Sequence, residues 1–318
     1  MQIIQGVENF KPTQKNVFLV LGNFDGVHRG HQQLVRTAVE KARETGGISA
    51  VLIYEPHPLY VLAPEKAPRL LLRKEQQARI FESLGLDYLI CTEFNLEIAK
   101  WSPEKFVQDI VIKAMNVREV IVGFNHSFGH KGEGTPAMMV EFGQKYNFDV
   151  TVIPPFILND KVVSSTLVRE YLLSGRVKEA RELLNYYPEF VGIVVDGEHR
   201  GRLLGFPTAN IGIDPSYAIP GNGVYAGYVK VKGQTYKTVV NIGNKPTFHK
   251  DYPISIEAHI MDDFSEDIYG ETVELSFLEK LRDEKRFDGV EALIAQITQD
   301  KLDAIKICEK TPYKGILL

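Results

Sequence analysis

Two histidines three positions apart, His28 and His31, stand directly behind a glycine-rich turn in "GNFDGVHRGH", residues 22–31. Imidazoles can ligate a metal, donate to a phosphate, or simply start a helix. Gly22, Gly26 and Gly30 would let the backbone come close to a ligand, with Phe24 and Asp25 inside the same turn. The run "VFLVLG" precedes the turn, and "QQLVRTAVEKARETGG" with helical spacing follows it. The histidines therefore fall where a buried strand hands over to a helix. A helix start carries unpaired N–H groups and a partial positive charge, which suit an anion. Two imidazoles one turn apart would add two donors. A metal would need further ligands, and His57, His126 and His130 are the candidates at other strand ends. Against it, no H-E-x-x-H and no Cys partner occurs. Neither G-K-[ST] nor G-x-G-x-x-G is present, which excludes a P-loop and a dinucleotide fingerprint. Taken alone, these residues leave a helix start, a phosphate site and a metal site open.

Three further tracts could do chemistry. In "VSSTLVR" (163–169), Ser164, Ser165 and Thr166 can cap a helix whose N-terminus meets phosphate, and Arg169 adds a forked donor one turn in. By itself the tract is an ordinary N-cap. In "GRLLGFPTAN" (201–210), Gly201, Arg202 and Gly205 belong to a basic loop able to fold over phosphates, followed by Pro207. Thr208 and Asn210 offer oxygens suited to Mg²⁺ beside ATP oxygens, although by itself the tract is a turn. In "ISIEAHIM" (254–261), Ile254, Ile256, Ala258 and Ile260 face one way, and Ser255, Glu257, His259 and Met261 the other. Glu257 is then either a solvated strand residue or a general base.

The elements around these tracts change period along the chain. Residues 17–22, 49–56, 88–94, 119–125 and 148–156 read as strands, mostly as continuous apolar runs. Helices are expected at 31–45, 74–85, 103–114 and 136–147, with Ser102-Pro103 as a strong start. This alternation predicts an α/β, Rossmann-like parallel sheet, whose ligands bind at the carboxyl ends of the strands. "GNFDGVHRGH", "EPHP" and "GFNHSFGHKGEGT" all fall at such ends. Residues 164–187 read as helical with a break at Gly175. From Glu189 onward strand–turn–strand spacing predicts a small antiparallel barrel, with Val231-Lys232-Gly233-Gln234 as a hairpin turn. A terminal helix follows, capped by Asp288, with Val290, Leu293, Ile294, Ile297, Ile305 and Cys308 as its packing stripe. The domain boundary is expected near residue 186. The chain has 318 residues and a net charge of −4, which argues against a surface that coats nucleic acid. Its two cysteines, Cys91 and Cys308, form no C-x-x-C pair. The polar N-terminus lacks the apolar core of a signal peptide and no long apolar run occurs, so a cytoplasmic chain outside the membrane is expected.

The H-x-G-H turn resembles the signature of the nucleotidylyltransferase superfamily, and "VSSTLVR" resembles its I-S-S-T-x-x-R element. The likeness goes further. "GNFDGVHRGHQ", "EPHPLYVLAPEKAPRLL", "WSPEKFV", "VGFNHSFGHKGEGT", "GRLLGFPTANI", "NIGNKPTF" and "IEAHIMDDFSEDIYGETVEL" follow one another as in the bacterial bifunctional riboflavin kinase/FAD synthetases. That resemblance implies an FMN adenylyltransferase domain over 1–186 and a riboflavin kinase domain over 187–318. It implies that His28 and His31 stabilise phosphate charge, and that Gly22, Phe24, Asp25, Gly26, Gly30, Ser164, Ser165, Thr166 and Arg169 bind the nucleotide. It assigns Gly201, Arg202, Gly205 and Pro207 to nucleotide, Thr208 and Asn210 to Mg²⁺, and Glu257 to the role of kinase base. Asn125, Phe128 and His57 would contact flavin, with His126 standing where the family usually has an aromatic. The implied partners are riboflavin, FMN and ATP, with FAD as product, no nucleic acid, no membrane, and a monomer or weak homo-oligomer.

Overall fold

The computed structural model describes residues 1–12, 16–197, 205–244, 254–264 and 266–313. Five consecutive buried apolar residues form β2 (Val17–Leu21). A strand apolar on both faces needs cover on both sides, which parallel sheets provide. β2 lies inside a six-stranded parallel sheet with β1 (Gln2–Gln5), β3 (Ile48–Glu55), β4 (Tyr88–Glu93), β5 (Val117–Gly123) and β6 (Asp149–Ile153), in the order β1-β4-β3-β2-β5-β6. β1 was not expected from its polar Q-I-I-Q composition. It is an edge strand with Ile3 exposed, held by backbone pairing to β4 while Ile4 packs on the core.

The connecting helices follow the expected order: α1 (Arg29–Thr45), a short α2 (Pro58–Leu62), α3 (Lys74–Ser83), α4 (Pro103–Phe106) and α5 (Pro136–Tyr146). Ser102 caps α4 by accepting the Lys105 N–H, as its sequence suggests. Beyond Phe106 the backbone widens into a π-helix over Val107–Ala114. β6 stops at Ile153, before Pro154 and Pro155, rather than running to 156.

A short hairpin, β7 (Ile157–Leu158) with β8 (Lys161–Val162), leads to α6 (Ser165–Leu173) and α7 (Val177–Leu184). Gly175, at φ +77°, breaks the two helices where the sequence suggested. The barrel then closes from β9 (Glu189–Val195), β10 (Ala209–Gly212), β11 (Gly223–Val231), β12 (Gln234–Asn244), β13 (Ile254–Ile260) and β14 (Thr272–Arg282), in the order β10-β13-β12-β11-β14-β9. Every pairing is antiparallel. Closure removes the open edges that an antiparallel sheet would otherwise expose. Lys232 (φ +49°) and Gly233 (φ +81°) make the two-residue turn of the β11–β12 hairpin.

The terminal helix α8 (Val290–Lys310) differs from expectation at its start. Gly289, not Asp288, is its N-cap, and no side chain caps it. Its buried face runs through Asp300, Ala304 and Cys308, whereas Val290 is exposed. Asp300 is tolerated there because the Arg282 guanidinium grips its carboxylate, Nε at 3.0 Å from both oxygens and Nη2 at 2.8 Å from one.

The chain divides into two compact units. One comprises Met1–Pro68 with Arg73–Ser164, the other Arg69–Leu72 with Ser165–Leu318. The helices α6 and α7 thus group with the barrel.

Candidate functional site

The turn between β2 and α1 is built to present two imidazoles. His28 is the N-cap of α1, and its Nδ1 accepts the His31 N–H at 3.4 Å. A nitrogen that accepts carries no proton, so Nε2 of His28 carries it and is a donor. The two rings stack face to face, with centroids 3.8 Å apart and planes 16° apart. Stacked rings point their lone pairs alongside each other rather than at one point, which disfavours a shared metal. Among the described residues no group of three or more His, Cys, Asp or Glu is placed to hold a metal ion. Burial lowers the His28 pKa to about 4. It also holds His31 well below the ordinary range, with the neighbouring His28 charge adding to the effect. Near pH 7 both rings are therefore neutral donors at a helix N-terminus.

The glycines of the turn divide by purpose. Gly26, at φ +81°, adopts a conformation that side chains resist. Gly30 is different: a Cβ there would stand 3.2 Å from Cε1 of His28. Its missing side chain makes room for the His28 ring. Gly22 likewise makes room for Phe24, whose ring would lie 3.2 Å from a Cβ at position 22. Phe24 is 1% exposed and meets His31 edge-on at 5.1 Å and Phe81 at 5.5 Å. It therefore acts as a wedge that braces His31. Asp25 is buried in the same turn. Hydrogen bonds that pin the segment include Val27 N–H to the Phe24 carbonyl at 3.1 Å, Gln32 Nε2 to the Val27 carbonyl at 2.8 Å, and Gln77 Nε2 to the Phe24 carbonyl at 2.8 Å. Sequence reading passed over these glutamines, since only the contacts reveal their partners.

His57 is half-buried and caps α2, with Nδ1 accepting the Leu59 N–H at 3.2 Å. In the loop after β5, Asn125 is exposed, but Phe128 is not. Phe128 is 7% exposed, belongs to the core of the sheet, and packs against Phe106 at 5.6 Å. His126 stacks on it at 5.7 Å and 14°. The ring in this loop that faces solvent is Phe124, 45% exposed. Ser164 lies just before α6, which starts at Ser165; Thr166 is exposed. Arg169 donates Nε to the Arg69 carbonyl at 2.7 Å, so part of its guanidinium already serves the fold.

In the barrel, the tract expected to be a turn becomes a strand from Ala209. β10 pairs Asn210 with Glu257 and Ala209 with Ala258 on β13. Directly opposed residues bring their side chains within about 5 Å. Glu257 is half-buried and accepts the Ser255 hydroxyl at 3.2 Å. Thr208 and Asn210, two positions apart, are both half-buried. Pro207 and Gly205 are exposed, with Gly205 at φ +83°. Gly201 and Arg202 lie outside the described residues.

The chain resembles known proteins along nearly its whole length. Residues 10–167 match the family described as FAD synthetase, and residues 184–308 match that described as riboflavin kinase. A bifunctional riboflavin kinase/FMN adenylyltransferase of Bacillus subtilis is 38% identical over 300 residues, covering 93% of this chain and 94% of the relative. One of the same description from Escherichia coli is 35% identical over 308 residues, covering 96% and 97%. A crystal structure described as a macrolide-efflux protein from Streptococcus pneumoniae has a TM-score of 0.86 at 31% identity, covering 95% of this chain and 98% of that one. Among the described residues of the present chain no helix is long and apolar enough to cross a membrane.

Proposed function

The chain belongs to the bifunctional riboflavin kinase/FMN adenylyltransferase family, and on that premise we propose how its residues divide the work. The protein phosphorylates riboflavin to FMN with ATP and adenylylates FMN to FAD with a second ATP, releasing pyrophosphate. The observation that supports the assignment of residues is the presence of two different side-chain arrangements, each suited to one phosphate chemistry. One is a stacked pair of neutral imidazoles at a helix N-terminus. The other is a carboxylate on one barrel strand opposite an amide residue on the adjacent strand.

In the adenylylation, an FMN phosphate oxygen attacks the α-phosphorus of ATP. A new P–O bond forms and the bond to the β-phosphate oxygen breaks. Negative charge grows on the α-phosphoryl oxygens and on the departing pyrophosphate. His28 Nε2–H, the His31 ring and the positive end of α1 offer donors and a partial positive charge to that growing charge. Phe24, Gly22 and Gly30 hold the two rings, and Asp25 and Gly26 complete the turn. Ser164, Ser165, Thr166 and Arg169 are assigned to nucleotide phosphate through their motif. Asn125, His57 and the loop that carries Phe128 are assigned to flavin, with exposed Phe124 rather than buried Phe128 offering the stacking plane.

In the phosphorylation, the ribityl hydroxyl of riboflavin attacks the γ-phosphorus. Glu257 accepts the hydroxyl proton as the P–O bond forms, and ADP leaves. Ser255 holds one Glu257 oxygen, which orients the carboxylate. The hard oxygen donors of Thr208 and Asn210 fit Mg²⁺ beside ATP oxygens; that ion would neutralise phosphate charge. Gly201, Arg202, Gly205 and Pro207 are assigned to ATP by the same tract.

The test is a product assay. Protein is incubated with riboflavin, ATP and Mg²⁺, or with FMN, ATP and Mg²⁺, and the flavins are separated. Both FMN and FAD should form in the first mixture, and FAD in the second.

A further inference from the structure

His259 lies two residues beyond Glu257 on β13 and so shares its face. A polar residue on that face would ordinarily be solvated, yet His259 is 8% exposed. Its Nδ1 stands 2.8 Å from the Pro207 carbonyl oxygen. A carbonyl can only accept, so Nδ1 carries the proton and donates. Burial favours the neutral ring, which leaves Nε2 as a bare lone pair. That nitrogen is buried and has no hydrogen-bond partner among the described residues. The Phe206 ring meets the imidazole edge-on at 5.7 Å. Leaving one buried nitrogen unsatisfied is costly, so the bond made by the other must matter.

The Pro207 carbonyl sits at a weak point in the chain. Gly205, two residues earlier, has φ +83°, and a Cβ there would meet nothing within 4 Å, so no side-chain packing of its own anchors this stretch. Pro207 has no N–H, so its carbonyl is the backbone group by which the entry to β10 can be held. Ladder pairing with β13 is in place at Ala209 and Asn210. β13 thus carries both Glu257, which opposes Asn210 on β10, and a side chain that grips the approach to Asn210.

We propose that His259 is a positioning residue for the phosphorylation. Its Nδ1–H bond to the Pro207 carbonyl fixes where the chain enters β10, and thereby sets Thr208 and Asn210 against Glu257. The proposal rests on reading the P-T-A-N tract as the Mg²⁺-ATP site.

The full-length protein can test both steps separately. kcat/KM for Mg²⁺-ATP is measured in riboflavin phosphorylation for Thr208→Ala, His259→Leu, His259→Gln and His259→Asn. Riboflavin binding, read by fluorescence quenching, reports whether the barrel is folded. An asparagine amide reaches roughly where Nδ1 stands, whereas a glutamine amide reaches the Nε2 position. Loss of an orienting partner typically costs about 10–100-fold, so that drop is expected for Leu and Gln with riboflavin binding kept. Asn should stay within about threefold of the parent, since it restores the same donor. A merely structural histidine would lower riboflavin binding along with kcat/KM, whereas a positioning one lowers kcat/KM for Mg²⁺-ATP with riboflavin binding kept. If Thr208→Ala is unaffected, the reading of the tract is wrong and the proposal falls with it. If Thr208→Ala is slow but His259→Leu matches the parent, only the positioning role is overturned. Should Leu abolish riboflavin binding, the Asn and Gln pair decides: Asn faster than Gln supports the role, and equal rates overturn it.

Discussion

Asn210 and Glu257 are register partners on adjacent antiparallel strands of the barrel. An amide oxygen suited to a cation and a carboxylate suited to a proton therefore start from neighbouring Cα atoms, although 47 positions separate them in the sequence. Strand pairing fixes that proximity more firmly than any loop could.

The first prediction follows from this pair. Glu257→Gln keeps the shape and removes the base. General-base catalysis is worth about 10²–10⁴-fold, so riboflavin phosphorylation should slow by that order. FAD formation from supplied FMN should persist. A Gln variant that phosphorylates at close to the parent rate would return Glu257 to an ordinary strand residue.

Gly30→Ala offers a cleaner probe of the histidine pair than deleting a ring. Alanine is the better helix former by about 1 kcal/mol, so stability should hold or rise. The new methyl would sit 3.2 Å from His28 Cε1 and must push the ring by a few tenths of an ångström. Displacements of this kind cost rate steeply, and a loss of about tenfold in FAD formation is expected. Unchanged FAD formation would show that ring placement is not limiting.

His126 carries a buried Nε2 with no hydrogen-bond partner among the described residues. Burial lowers its pKa to about 4. The folded form therefore resists a proton that the unfolded chain takes up below about pH 6.5. Its titration penalises folding increasingly as pH falls from about 6.5 to about 4, holds at full size below that, and contributes nothing above the window. His126→Phe should relieve the orphaned nitrogen, worth about 1–3 kcal/mol, and keep the ring stack on Phe128. Thermal melting should rise by a few degrees at pH 7.5 and by more at pH 5. A variant whose melting point falls, or whose gain is the same at both values, would contradict this.

The packing boundary suggests a fragment experiment. The Gly221 N–H donates to the Leu172 carbonyl at 3.0 Å, and a Cβ at Gly175 would stand 2.8 Å from the Tyr225 hydroxyl oxygen. Residues 165–187 thus close onto the barrel. We expect a fragment of residues 165–318 to fold and phosphorylate riboflavin, and one of residues 187–318 to melt lower. Equal melting points for the two would place the boundary near residue 186 instead.

The H-x-G-H turn was legible in the sequence because strand, turn and helix start are local features, and the parallel sheet and barrel followed from the change of period. Other features depend on contacts between distant residues. Gly30 reads as an opening for a ligand until the His28 ring is seen against it. Phe128 reads as a loop aromatic, but Phe106 from another element draws it into the core. The four residues of β10 have too little pattern to declare a strand; β9 and β13 on either side make them one. The same holds for His259, whose position beside Glu257 was readable and whose grip on Pro207 was not.

The central claim is that two sites carry two separate reactions, and His31→Ala tests it most directly. The variant is supplied with riboflavin, ATP and Mg²⁺, and FMN and FAD are followed together. Losing one preorganised donor costs about 10²–10³ in rate, so FAD formation should fall by that order while FMN accumulates at the parent rate. Equal loss of both products, or FAD formed at the parent rate, would contradict the claim.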